Sequence, residues 1–310
     1  MRRMEQYVLK TLGVTKEFRN FTALNNVSIA LESGRIYGLI GKNGAGKTTL
    51  MRIIAGLSFP TKGSLSLFGS INEKEYQGEL KRIGCLIEYP SMNGSMTARE
   101  NLKLHRIIRG VPQREEDEEL LELVGLKDTG KKKVKDFSLG MRQRLGIAIA
   151  LIANPELLIL DEPVNGLDPV GVIEIRNLIK QICKERNICI LISSHNLPEL
   201  FQTASDYIMI DHGEIRQTLT LEELEERCRH HLVIECEETE KAVWVLEEIL
   251  HTNRYKVLQD KSIWIDAFIE NRKLVMKALV EQGILPTKFV VEGETLENYF
   301  LSVIGGGRND

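Results

Sequence analysis

Long apolar runs are missing from this chain of 310 residues. The longer ones, such as Ile147 to Ala153 and Leu157 to Leu160, which are parted by Asn154-Pro155-Glu156, fall far short of the ~20 residues that a membrane helix requires. An excess of one charge is missing too. With 41 basic and 44 acidic residues the formal net charge is −3, so no long-range field draws the chain to nucleic acid or anionic lipid. The five cysteines (Cys85, Cys183, Cys189, Cys228, Cys236) are odd in number, scattered and without a Cys-x-x-Cys pair, which leaves neither a disulfide framework nor a zinc site to expect. The six histidines lack ligand spacing, and the adjacent His230 and His231 fall on opposite faces of a strand. No internal repeat is apparent. The first residues lead into a strand-like segment rather than the apolar core of a signal peptide. These absences predict a cytoplasmic protein with reduced thiols and no nucleic-acid partner.

Hydrophobic residues make up 43% of the chain, enough for one main domain with an appendage. From residue 7 to about 68, short β-rich runs (Tyr7 to Thr11, Val27 to Leu31, Arg35 to Ile40, Ser64 to Phe68) are joined by Gly, Asn and Pro. Between roughly 97 and 153 the chain turns helical and charged. Thr97 and Glu100 form a capping box, and Glu115 to Leu123 has apolar residues at helical spacing. After 155 come strand Leu157 to Leu160, helix Val170 to Lys184, strand Ile188 to Ser193, helix Leu197 to Ala204 and strand Tyr207 to Asp211. Such alternation implies βαβ units and a parallel sheet with its ligand site at the strands' C-terminal ends. The acidic Leu221 to Glu226 reads as a linking helix. From His231 to about Ile304 the predicted order contains β-α-β-β-α-β, the split βαβ pattern of ferredoxin-like modules.

Two segments carry recognisable chemistry. Gly41-Lys42-Asn43-Gly44-Ala45-Gly46-Lys47-Thr48 follows the β-prone run Ile36 to Ile40 and opens the apolar-periodic segment Thr49 to Gly56. This is a phosphate-binding loop in a strand-loop-helix setting: glycines let the backbone N–H groups approach phosphates, and a helix N-terminus faces them. Lys47 is expected on the β- and γ-phosphates and Thr48 on Mg²⁺. Leu157-Leu158-Ile159-Leu160-Asp161-Glu162 is a buried strand that ends in two carboxylates, with Asp161 expected to hold Mg²⁺ through its water and Glu162 to act as base or polariser for attacking water.

Phe137-Ser138-Leu139-Gly140-Met141-Arg142-Gln143-Arg144, just before an apolar helix, resembles the Leu-Ser-Gly-Gly-Gln signature of ABC ATPases. Leu139 and Met141 depart from that signature, which leaves Ser138 and Gly140 as its expected γ-phosphate contacts. Together with the two motifs above, the resemblance covers about residues 7 to 225. Asn165-Gly166-Leu167-Asp168 resembles the D-loop, and His195 the switch histidine at the γ-phosphate. Phe18 stands at the place of the adenine-stacking aromatic. Where the family carries a Gln that ligates Mg²⁺, the run Ile83 to Pro90 offers Glu88, which is similar to the Glu variation in ATPases of lantibiotic self-protection exporters. Gly140 to Arg144 and the tail Glu294 to Leu301 also resemble the drug- and bacteriocin-exporting branch, in which a small C-terminal domain follows the ATPase.

The resemblance implies an α/β fold, an ABC-type P-loop ATPase with a mixed sheet and a helical subdomain over about 97–153, occupying 1–228, and a small α+β domain over 229–310. It implies catalytic roles for Glu162, His195 and Glu88. Phe18, Gly41, Asn43, Gly44, Ala45, Gly46, Lys47, Thr48, Thr49, Ser138, Gly140 and Asp168 would bind ATP, and Thr48, Glu88 and Asp161 would hold Mg²⁺. Its signature faces away from its own phosphate loop, so a homodimer sandwiching two ATP is implied, together with transmembrane permease subunits that handle a peptide cargo at the cytoplasmic face of the plasma membrane. A general drug exporter or an importer would carry the same motifs. A DNA-repair member would need a long coiled coil, and a translation member two cassettes per chain.

Overall fold

The computed structural model describes residues 7–71, 73–88, 92–112 and 116–305. The expected Glu-loop residues Tyr89 and Pro90 and the expected helix start at Glu115 lie outside them. The chain divides into two compact units, Met1–Leu221 with Val303–Asp310, and Glu222–Ser302.

In chain order the first unit carries β1 (Tyr7–Phe18), β2 (Phe21–Val27), β3 (Ala30–Glu32), β4 (Ile36–Ile40), α1 (Lys47–Ile54), β5 (Lys62–Leu67), α2 (Glu73–Glu79), β6 (Ile83–Leu86), α3 (Ala98–Arg109), α4 (Glu116–Leu123), α5 (Leu139–Leu151), β7 (Leu157–Asp161), α6 (Pro169–Arg186), β8 (Cys189–Ser194), α7 (Leu197–Thr203), β9 (Asp206–Asp211) and β10 (Glu214–Thr220). An antiparallel sheet runs β2-β1-β3 with β5 also on β1, and a six-stranded sheet runs β10-β9-β4-β8-β7-β6. In the latter only β10 is antiparallel to its neighbour. Where the sequence reads one strand over 27–31, two strands meet, because Asn26 takes φ 53° and the chain re-pairs with β1 at a new register. Strand β10 escaped the sequence reading, its burial alternating on an exposed sheet edge.

Strands β4, β7, β8 and β9 are buried along their whole length, as strands covered on both faces must be. Helix α1 sends Leu50, Met51, Ile53 and Ile54 into the core that also takes Leu9, Leu24 and Leu31 from the antiparallel sheet and Leu39, Ile159 and Leu191 from the parallel one. Each such side chain contributes roughly 1.5–3 kcal/mol, so the phosphate loop is anchored at both ends. The inserted helices begin as their caps dictate. Thr97 accepts from Glu100 N–H at 3.2 Å, while Glu100 accepts from Thr97 N–H at 2.7 Å. Ser138 caps α5 through Met141 N–H, and Asp168 caps α6 with Pro169 following it.

The second unit runs α8 (Leu221–Arg227, starting at the boundary), β11 (His231–Glu235), α9 (Thr239–Trp244, continued by a π-turn to Ile249), β12 (Tyr255–Val257), β13 (Ile263–Ile265), α10 (Arg272–Glu281), β14 (Lys288–Glu292) and α11 (Leu296–Gly305). Its antiparallel sheet has the order β12-β13-β11-β14, so each helical crossover skips one strand, as in the split βαβ pattern. Leu232, Ile234, Ile263 and Ile265 form a core with Val245, Leu246, Val275 and Leu279.

Candidate nucleotide site

Strands β4, β8 and β7 are neighbours with Ile40 beside Ser194 and Ser193 beside Asp161. Their C-terminal ends therefore open side by side, and the phosphate loop, Ser193 to His195 and the two acids converge there. The loop is held open by backbone constraint. A Cβ on Gly41 would lie 2.4 Å from the Ile210 carbonyl, and Gly46, at φ 108°, would put one 2.7 Å from the Ala23 carbonyl. Gly44 (φ 82°) faces open space. Ala45 is buried, its carbonyl accepting from Gly213 N–H at 3.0 Å. Helix α1 starts at Gly46 without a side-chain cap, so its first N–H groups are left to a ligand.

The resulting cavity, of about 380 Å³, is lined by Asn43, Gly44, Gly46, Lys47, Thr48 and Thr49 of the loop and by Glu162 and His195 opposite. Lys47 is buried, its ammonium donating to the carbonyls of Gly41 (2.7 Å) and Lys42 (3.2 Å). Burial pushes its pKa down from the lysine range, while Glu162 and Asp161 pull the other way. An ammonium desolvated in this manner is suited to a phosphate anion. Thr48 donates its hydroxyl to Asp161 at 2.9 Å. Two hard oxygen donors, with phosphate and water to complete the shell, fit Mg²⁺.

Ser193, which the sequence reading did not single out, organises the acids. It is fully buried, donates its hydroxyl to Asp161 at 2.5 Å and accepts from the Glu162 N–H at 3.0 Å. Glu162 adopts φ 50°, left-handed for a residue with a side chain, and this turn aims its carboxylate at His195 Nδ1, 2.7 Å away. The signal for Ser193 is positional: a small hydroxyl ending the strand next to the acidic one.

Other expected site residues lie elsewhere. The aromatic on the cavity is Phe21, not Phe18; the two are cross-strand partners at the β1–β2 hairpin, both more than half exposed, and Phe18 lies under the Lys16 ammonium. Ser138, Gly140 and Asp168 are off the cavity. Glu88, at φ 64°, is paired with Arg52 at 2.6 Å and borders a second cavity of about 610 Å³, shared with Leu139, Gln143, Asp161 and Glu162.

Comparison with known proteins agrees with this geometry. The family profile described as ABC transporter matches residues 24–165. The bacitracin transport ATP-binding protein BcrA of Bacillus licheniformis is 41% identical over 300 residues, covering 97% of this chain and 98% of that one. Its Enterococcus faecalis counterpart is 37% identical over 97% and 98%. The lantibiotic transport ATP-binding protein SrtF of Streptococcus pyogenes is 43% identical over 209 residues, 67% of this chain and 89% of that one. A dimeric bacterial ABC transporter cassette of solved structure has 26% identity, a TM-score of 0.62, and coverage of 69% and 98%. Such cassettes bind nucleotide, dimerise and work with membrane permeases. Among the described residues no helix is long and apolar enough to cross a membrane. The chain belongs to the ATP-binding proteins of ABC transporters, and it is an ATPase.

Proposed function

We propose that this ATPase drives export of a peptide antibiotic of the bacitracin or lantibiotic kind, protecting the cell that makes or meets it. The carrying observation is the extent of similarity. The likeness to the bacitracin transport protein runs through both compact units, whereas the lantibiotic transport protein is too short to carry a unit like Glu222–Ser302. That difference favours the bacitracin kind over the lanthionine kind suggested by Glu88.

In the proposed hydrolysis, Lys47 neutralises the β- and γ-phosphates and the N–H groups at the start of α1 hold them. Thr48 and Asp161 would hold Mg²⁺, with Glu88 as a further carboxylate on the second cavity, which Asp161 and Glu162 also border. When bound, the ion withdraws charge from phosphate oxygens. Glu162 takes a proton from water as its oxygen adds to the γ-phosphorus, and the bond to the β-phosphate oxygen breaks to release ADP. His195 fixes the Glu162 carboxylate and reaches the transferred phosphate. Ser138, Gly140 and Asp168 act across a head-to-tail dimer, completing the site on a second copy. Phe21, on the cavity, stacks on the base, with Phe18 beside it on the hairpin. Permease subunits carry the cargo and hold the ATPase at the cytoplasmic face of the plasma membrane.

The test is survival of the native host, with and without this gene, on bacitracin, a lanthionine peptide and unrelated membrane-active drugs. Selective sensitisation to bacitracin is expected. Sensitisation to the lanthionine peptide alone would move the cargo to that class, and unchanged survival throughout would return the chain to a general exporter or an importer.

A further inference from the structure

The unit Glu222–Ser302 has a cavity of its own, about 430 Å³ in volume, whose lining includes Arg229, His231, Arg254, Lys256, Trp264 and Asp266. That size falls within the range of small-molecule sites. Its floor is built rather than incidental. The His231 and Trp264 rings stack with centroids 4.2 Å apart and planes 15° from parallel. Asp266 accepts from Arg229 at 3.3 Å and lies 3.6 Å from His231 Nδ1, so one carboxylate ties both the stack and a guanidinium. The sheet does not need these rings for its core, which Leu232, Ile234, Ile263 and Ile265 fill with the helices.

Three cations, Arg229, Arg254 and Lys256, face two carboxylates, Glu226 and Asp266, across this lining. Arg229 is paired with Asp266, whereas Arg254 and Lys256 on the same lining have no ion-pair partner among the described residues. Lys256 sits directly opposite Trp264 in the β12–β13 register, which brings the ammonium stem and the indole to about 5 Å at their Cβ atoms. Glu226 also borders the cavity and supplies an acceptor.

We propose that this cavity binds a nucleoside phosphate: the base extends the His231–Trp264 stack, the phosphate lies between Arg254 and Lys256, and ribose hydroxyls donate to Glu226. An aliphatic anion would leave the rings unused, and a neutral aromatic would leave both cations unpaired. The site is made wholly by residues of Glu222–Ser302 and does not depend on the identity of the transported cargo.

The full-length protein is titrated with AMP, GMP, CMP and UMP, and separately with inorganic phosphate, while tryptophan emission is followed. Monophosphates lack the β- and γ-phosphates that the loop at residues 41–48 is built to hold. At least one should quench saturably. Trp264→Phe should remove the quench, and Arg254→Ala with Lys256→Ala should weaken it by on the order of tenfold without changing ATP hydrolysis measured in the absence of monophosphate. Lys47→Ala should leave the quench intact. Absence of a saturable quench with all four, an undiminished quench in the Arg254→Ala, Lys256→Ala protein, loss of the quench in Lys47→Ala, or equal affinity for inorganic phosphate alone would overturn the proposal.

Discussion

The carboxylate of Glu162 and Nδ1 of His195 stand 2.7 Å apart, brought together because β7 and β8 are adjacent parallel strands that end in register. A base held by a second side chain keeps its lone pairs aimed at the water it must deprotonate. Glu162→Gln keeps the shape of that contact and removes the base. Phosphate release should fall by about 10²- to 10⁴-fold while ATP affinity stays within a few-fold, and ATP-bound dimers should accumulate on size exclusion. Hydrolysis at the parental rate would remove Glu162 from the mechanism.

Ser193→Ala tests the hydroxyl that serves both acids. It strips Asp161 of a donor and leaves the Glu162 N–H without an acceptor, a desolvated group that costs about 1–3 kcal/mol. Thermal unfolding should shift down by an amount of that order, and hydrolysis should fall as Glu162 relaxes from its left-handed turn. Ser193→Thr, which keeps the hydroxyl, should recover part of the rate.

The phosphate loop and the acidic strand were legible because glycine spacing and a four-residue apolar run leave few physical alternatives. The capping box at Thr97 was legible for the same local reason, whereas Ser138 and Asp168, read for their place in the signature and the D-loop, emerge as helix caps only in the structure. Ser193 and Phe21 were not: each acts through a neighbour across a sheet, Ser193 beside Asp161 and Phe21 beside Phe18, and strand order is not written in any one segment. The extent of β1 and the presence of β10 were missed because both depend on pairing partners rather than on their own periodicity.

Phe18 and Phe21 divide one expected role. Stacking of a base on an aromatic ring contributes about 1–3 kcal/mol, or roughly 5- to 150-fold in Kd. Since Phe21 lines the cavity and Phe18 does not, Phe21→Ala should weaken ATP binding more than Phe18→Ala. Titration of each variant with a fluorescent ATP analogue ranks them. A larger loss for Phe18→Ala would mean that the hairpin turns over on the base.

Thiol chemistry offers a check on the core. Burial pushes the Cys189 thiol far up from its ordinary value, and Cys183 up as well, so neither supplies thiolate near neutral pH. Iodoacetamide should leave both unmodified in the native protein, and peptide mass analysis should find all five cysteines alkylated only after unfolding in guanidinium.

Glu88, which stands where the family resemblance expects a Gln, pairs with Arg52. Their contact is short, 2.6 Å, yet both side chains are about half exposed, so the pair adds no more than about 1 kcal/mol to stability. A role must therefore appear in activity. While Arg52 holds it, Glu88 lies on the cavity that also reaches Asp161 and Glu162, and its φ of 64° keeps a backbone strained by about 1–3 kcal/mol next to that cavity. If Glu88 moves from Arg52 to the metal during turnover, Arg52→Gln should raise hydrolysis in the absence of permease, Glu88→Gln should abolish that rise, and the two should be coupled in a double-mutant cycle. Additivity within about 0.3–0.5 kcal/mol, with unchanged hydrolysis in both single variants, would reduce the pair to a surface contact and leave the Mg²⁺ shell to Thr48 and Asp161.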